Sequence, residues 1–211
     1  MTDALVTAEK LLQAEAVRLS PSQPFTWASG WKSPIYCDNR KLLSQPYIRD
    51  YIKSELCNTV FEKFGEASLI AGVATAGIAW GAMVADQLKL PFIYVRPKPK
   101  EHGLGNQIEG QYQKGQRTVV IEDLISTGKS SLQVVDVLKQ NGLQIDGMVS
   151  IFTYEFEAAR LAFEKAGIPY FSLTNYPSLL GLASQRGLIR PEEEQVLLNW
   201  RQDPANWTGV S

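Results

Sequence analysis

Residues 118–142 read TVVIEDLISTGKSSLQVVDVLKQNG: an apolar run, two acids, a turn of small residues, and an amphipathic stretch ending in glycine. The β-branched run at 118–122 has the composition of a strand. Beyond the turn, Leu132, Val135 and Leu138 recur at helical spacing and Gly142 supplies a stop signal. A strand that opens through a tight turn into a helix is one step of an α/β fold. The letters GKS at 128–130 resemble the end of a nucleotide-binding P-loop, but that motif needs its opening glycine at position 123, where this chain has Asp123. A phosphate loop that begins with two carboxylates calls for a different ligand.

Working outward, PFIYV (91–95), GMVSIF (147–152) and PYFSL (169–173) are further strand-length runs, and a strand is expected at 69–73. EAARLAFEKAG (157–167) has Ala158, Leu161 and Ala162 on one face and Gly167 as its stop. Helices are also expected at 3–16, at 47–64 with Ser44 as cap and Pro46 in the first turn, and in the polar stretch RPEEEQVLLNWRQDP (190–204). Alternating strands and helices predict a parallel sheet with right-handed crossovers. At 211 residues and 45% hydrophobic content the chain fits one well-buried domain.

Composition excludes several roles. With 21 Lys plus Arg against 22 Asp plus Glu, no broad field exists to hold nucleic acid or an anionic membrane. Cys37 and Cys57 are far apart and outside any metal-like spacing, which suits a reduced, cytoplasmic protein. MTDALVTAEK is no secretory signal, because it lacks a cationic start followed by an apolar core. The uncharged run at 67–85, ASLIAGVATAGIAWGAMVA, has the length of a membrane span and a G-x-x-x-G at Gly77 and Gly81. It is mostly Ala, Gly and Thr, however, and divides into a strand, a small-residue turn and a helix running towards Leu88.

One connection is long. Residues 96–116, RPKPKEHGLGNQIEGQYQKGQ, show little periodicity and separate two expected strands, where α/β units usually need about 2–6 residues. Arg96, Lys98, Lys100 and the only histidine, His102, fall within seven residues. On charge alone, a solvated basic loop explains this as well as an anion site does.

Ligands of parallel sheets bind beyond the carboxyl ends of the strands, where the following loop opens into a helix. Glu122 and Asp123 stand at such an edge, followed by Leu124, Ile125 and the run Ser126, Thr127, Gly128, Lys129, Ser130. Hydroxyls and successive backbone N–H groups at a helix start suit a phosphate. Carboxylates would repel it, unless they face hydroxyls of the same ligand, or a Mg²⁺ bound to those hydroxyls. The implied ligand is a sugar phosphate. Residue by residue, a turn with Ser126 or Thr127 as a helix cap explains as much; the complete order after an apolar strand is the specific signal. Lys129 opposes the helix dipole and is expected to point into solvent.

VVIEDLISTGKSS resembles the phosphoribosyl-diphosphate motif of the type I phosphoribosyltransferases. FTWASGWKSPIYCDNR (25–40) and YVRPKPKEHGLGNQIEG (94–110) resemble the N-terminal signature and the catalytic loop of the orotate phosphoribosyltransferases within that group. The resemblance implies a parallel-sheet α/β fold with helices on both faces, a core at about 65–175 and a small N-terminal hood at about 1–40. It implies Mg²⁺-dependent transfer of phosphoribosyl from its diphosphate to orotate. It assigns Arg96, Lys100 and His102 to the diphosphate, Glu122 and Asp123 to the ribose, and Ser126, Thr127, Gly128, Lys129 and Ser130 to the 5′-phosphate, with Leu124 and Ile125 also counted among the phosphoribosyl-diphosphate-binding residues. Lys100, His102 and Asp123 are the implied catalytic residues, and Ser126, Phe25 and Tyr36 the implied orotate contacts, with Lys32 or the Ser29-Gly30 turn near the orotate carboxylate. No direct protein ligand to the metal is implied, since Mg²⁺ is held mainly through the substrate near Glu122 and Asp123. A homodimer with shared active sites is expected, with no nucleic-acid or membrane partner. Pro97, Ala28 and Ala76 stand where other members carry lysine, so this chain does without those charges. Purine specificity is disfavoured by the 25–34 stretch, and a non-catalytic regulator by the balanced charge.

Overall fold

The computed structural model describes residues 3–27, 29–98 and 107–209. Along the chain the elements are α1 (Ala4–Gln13), β1 (Val17–Leu19), β2 (Phe25–Thr26), β3 (Lys32–Ser33), β4 (Ile35–Cys37), a 3-10 turn (Asn39–Ser44) and α2 (Pro46–Lys63). There follow β5 (Leu69–Val73), α3 (Ala76–Leu88), β6 (Phe92–Val95), β7 (Ile108–Glu109), β8 (Arg117–Ile125) and α4 (Lys129–Gln140). The chain ends with β9 (Gln144–Thr153), α5 (Glu157–Ala166), β10 (Tyr170–Asn175), α6 (Tyr176–Gln185) and α7 (Pro191–Gln202). It divides into two compact units, Asp50–Leu173 and a second made of Asp3–Arg49 with the residues from Thr174 onward.

The first unit is built on a six-stranded sheet in the order β10-β9-β8-β5-β6-β7. β5 runs parallel to both β6 and β8, and β8 parallel to β9, so their carboxyl ends share one edge. Helices cover both faces. On one side Leu69, Ala71, Val120 and Met148 share a core with Val134, Val135 and Leu138 of α4 and Phe163 of α5. Each such buried aliphatic side chain contributes about 1.5–3 kcal/mol. On the other side α3 lies nearly flush with the sheet: a Cβ on Gly77 would stand 2.5 Å from the Ile121 carbonyl oxygen, and one on Gly72 2.8 Å from that of Gly77. The glycines that gave 67–85 the look of a membrane dimer motif therefore let a helix settle on its own sheet. No helix among the described residues is long and apolar enough to cross a membrane.

Several expectations are revised. Residues 96–116 are not one open excursion, because Ile108 and Glu109 pair antiparallel with Val95 and Tyr94 and return the chain to the sheet nine residues before β8 begins at Arg117. Two residues are too short a strand for a periodicity reading to register. β8 runs on through the acid pair to Ile125, since β9 continues alongside it. Ser44 does not cap α2; its hydroxyl donates to the Lys41 carbonyl in the preceding turn. Neither Cys37 nor Cys57 is in a disulfide, and burial pushes the Cys57 thiol up to about 11.

In the second unit β1 pairs with β4 and β2 with β3, both antiparallel, and Trp200 of α7 donates its indole N–H to the Lys32 carbonyl at 3.1 Å. α6 was not expected from the sequence. Asn175 caps it by accepting from the Ser178 N–H at 2.9 Å, and Pro177 sits in its first turn.

Candidate active site

β5 leads into α3 on one face of the sheet and β8 into α4 on the other, so the strand order reverses between β5 and β8. Such a reversal opens a crevice at the carboxyl edge. β5 pairs with β8 only as far as Gly72 opposite Ile121, whereas β9 accompanies β8 to Ile125. Glu122, Asp123, Leu124 and Ile125 therefore project beyond β5 and wall the crevice. The side chain of Ile125 belongs to the core, and its carbonyl accepts from the Tyr154 N–H at 3.1 Å.

Glu122 is buried, at 6% exposure. Its Oε1 accepts from the Asp123 N–H at 3.0 Å and its Oε2 from the Ser131 hydroxyl at 3.2 Å. Burial first, and then the Asp123 carboxylate beside it, hold the Glu122 carboxyl well above the usual range; the hydrogen bonds from the Asp123 N–H and Ser131 pull the other way. Asp123 is half-exposed. Of the two acids it is the one open to a ligand. Among the described residues no group of three His, Cys, Asp or Glu side chains is placed to hold a metal ion. Asp123, the acid left open, suits ribose hydroxyls or a metal carried by the substrate, whereas the buried Glu122 already accepts at both oxygens.

The turn that follows is held from beneath. Gly128 adopts φ 76° and occupies the N-cap position of α4, and no side chain caps that helix. Neither Ser126 nor Thr127 is the cap that a purely structural turn would require. The amides of Lys129, Ser130 and Ser131 open the first helical turn, with the positive end of the dipole behind them. Lys129 and Ser130 are exposed. This is an anion cradle on the same element junction as the acid pair.

Arg96 stands at the carboxyl end of β6, two strands from β8, about 10 Å away at the usual spacing. Its N–H donates to the Gln107 carbonyl at 2.9 Å and its own carbonyl accepts from Gln107 Nε2 at 2.8 Å, which clamps the base of the 97–106 segment. Nη1 lies 4.0 Å from Glu109 Oε1 and is buried with no hydrogen-bond partner among the described residues. Lys100 and His102 lie outside the described residues, as does Ala28.

Phe25 and Tyr36 belong to the second unit, with ring centroids 5.6 Å apart and Tyr36 exposed. Trp27 stacks on Trp31 and donates its indole N–H to the Ile35 carbonyl at 3.2 Å, so these aromatics pack within the second unit. Lys32 Nζ donates to Thr26 Oγ1 at 2.8 Å. Two participants at the sheet edge were not anticipated. Ser131 was one residue past the motif as read, and Glu109 lay in a stretch without periodicity.

Residues 41–165 match the family model described as a phosphoribosyl transferase domain. The chain is 54% identical over 200 residues to orotate phosphoribosyltransferase of Phocaeicola vulgatus, covering 95% of this chain and 94% of that one. The chain belongs to the orotate phosphoribosyltransferase family. It is also 48% identical to the Lactococcus lactis orotate phosphoribosyltransferase over 207 residues, covering 98% of this chain and 99% of that one. Among solved structures, orotate phosphoribosyltransferase from Aeropyrum pernix superposes with a TM-score of 0.75 at 30% identity, covering 87% of this chain and 99% of that one. As an orotate phosphoribosyltransferase by family, the chain keeps an α/β fold with a mostly parallel sheet and sets the acid pair at its switch point.

Proposed function

We propose that this chain transfers the 5-phosphoribosyl group from 5-phosphoribosyl 1-diphosphate to orotate, giving orotidine 5′-monophosphate and diphosphate in de novo pyrimidine biosynthesis. The observation that carries this reading is the acid pair leading directly into an uncapped helix start at the sheet's reversal point. One ligand that presents hydroxyls to carboxylates and a phosphate to amides is a ribose 5-phosphate.

In this reading Glu122 and Asp123 accept from the ribose hydroxyls, while Ser126, Thr127, Gly128, Lys129 and Ser130 take the 5′-phosphate on a backbone carried by Leu124 and Ile125. Arg96, whose buried Nη1 makes no hydrogen bond among the described residues and lies 4.0 Å from Glu109, faces the diphosphate together with Lys100 and His102. Ser126, Phe25 and Tyr36 contact orotate, and the two compact units serve one catalytic domain. Orotate is an anion, and a C–N bond forms at C1 of the ribose as the C–O bond to diphosphate breaks. Positive charge builds on the sugar and negative charge on the leaving group. The chain's task is to hold the reactants in line and to stabilise the departing diphosphate, with Lys100 and His102 supplying cationic contacts and a proton or hydrogen bond, and Asp123 fixing the ribose. Mg²⁺, bound mainly through the substrate near Glu122 and Asp123, would offset diphosphate charge. The active form is a homodimer with shared sites, working in the cytoplasm.

The test is to mix the protein with Mg²⁺, phosphoribosyl diphosphate and orotate and follow the loss of orotate absorbance. Equal or faster turnover of adenine, guanine or hypoxanthine would overturn the orotate assignment.

A further inference from the structure

Ser131 lies one residue beyond the phosphate turn, in the first turn of α4, and is buried at 1% exposure. A serine inside a helix often returns its hydroxyl to the carbonyl four residues back. Here the hydroxyl leaves its own helix and donates to Glu122 Oε2 at 3.2 Å, nine residues away on β8. The other carboxylate oxygen is held by the adjacent Asp123 N–H, a contact within the strand. Of these two bonds, only the one from Ser131 ties Glu122 to the helix whose N-terminus would hold the phosphate.

We propose that Ser131 is a positioning residue that fixes the spacing between the ribose contacts and the phosphate cradle by anchoring Oε2 of Glu122 to helix α4. This inference rests on the sugar-phosphate reading of the site. A ligand that engages both subsites gains from a preset spacing, because the ordering of Glu122 is already done before it arrives. A ligand that engages only the cradle gains nothing. The signature is therefore a loss confined to ligands with a ribose.

Calorimetric titration of ribose 5-phosphate and of inorganic phosphate into wild type, Ser131→Ala and Ser131→Thr separates the possibilities, with thermal melting confirming that each variant is folded. Ser131→Ala is expected to weaken ribose 5-phosphate about tenfold, the size of one hydrogen bond to a charged group, and to leave inorganic phosphate unchanged. Ser131→Thr, which keeps the hydroxyl, is expected to restore most of the loss. Unchanged ribose 5-phosphate affinity in Ser131→Ala, or equal losses for both ligands, would overturn the inference. Failure of the wild type to bind ribose 5-phosphate at all would instead overturn the proposed function, and this inference with it.

Discussion

Gly128 lies against the ring of Phe163, so that a Cβ at position 128 would stand 2.7 Å from Phe163 Cε2. Phe163 is buried at 1% exposure and its ring centroid is 4.4 Å from that of Tyr170, so it has little room to retreat. Gly128→Ala meets two penalties, about 1–2 kcal/mol for the left-handed backbone and about 1–3 kcal/mol for overpacking. Urea denaturation should show a loss of about 2–5 kcal/mol, with ribose 5-phosphate affinity falling as the turn is displaced. A stability within 0.5 kcal/mol of wild type, a threshold set at about the scatter of neutral surface changes, would mean that Phe163 yields.

Asp123 is the half-exposed member of the acid pair. Asp123→Asn should weaken phosphoribosyl diphosphate about 10- to 100-fold, since a hydrogen bond to a charged group is worth about 1.5–3 kcal/mol, yet leave inorganic phosphate binding intact. Calorimetry on both ligands reads this. Equal losses would assign Asp123 a structural role.

The raised Glu122 carboxyl has a stability consequence of definite sign. The folded protein holds this proton to higher pH than the unfolded chain does, so its contribution is fully present below the ordinary value of 4.5 and is lost as pH rises through the raised one. Melting of the ligand-free protein from pH 4.5 upward should show a decline that Glu122→Gln lacks. Binding runs the other way, because ribose hydroxyls prefer the carboxylate. Affinity for ribose 5-phosphate should therefore rise with pH over the same window in wild type and stay flatter in Glu122→Gln.

Shared sites can be detected by mixing variants. Removal of one cation from a departing diphosphate should cost on the order of 10²- to 10³-fold in turnover, by analogy with a lost oxyanion donor, so Lys100→Ala and Asp123→Asn should each be nearly inactive. If Lys100 serves the neighbouring subunit, equal mixing with subunit exchange yields about half mixed dimers with one intact site each, and activity climbs towards about a quarter of wild type. No recovery after confirmed exchange would place Lys100 in its own subunit's site.

The strands at 69–73, 91–95, 118–122, 147–152 and 169–173 were legible because buried parallel strands are continuous apolar runs, and their physics is local. The placing of the acid pair and its turn was legible for a similar reason: strand, acids, small-residue turn and helix start are consecutive in sequence. What escaped depends on neighbours far along the chain. Ile108–Glu109 is a strand only because Val95 and Tyr94 lie beside it, and β8 reaches Ile125 only because β9 extends as far. Ser131 looked like one more polar residue at a helix start; its partner is chosen by the packing of α4 on β8, which no spacing rule encodes.

Arg96 and Gln107 are paired through both the N–H and the carbonyl of Arg96, which pins Arg96 to the sheet rim where β6 ends. Arg96 is therefore rooted twice through one neighbour, so a change at Gln107 is felt at the base of the Arg96 side chain.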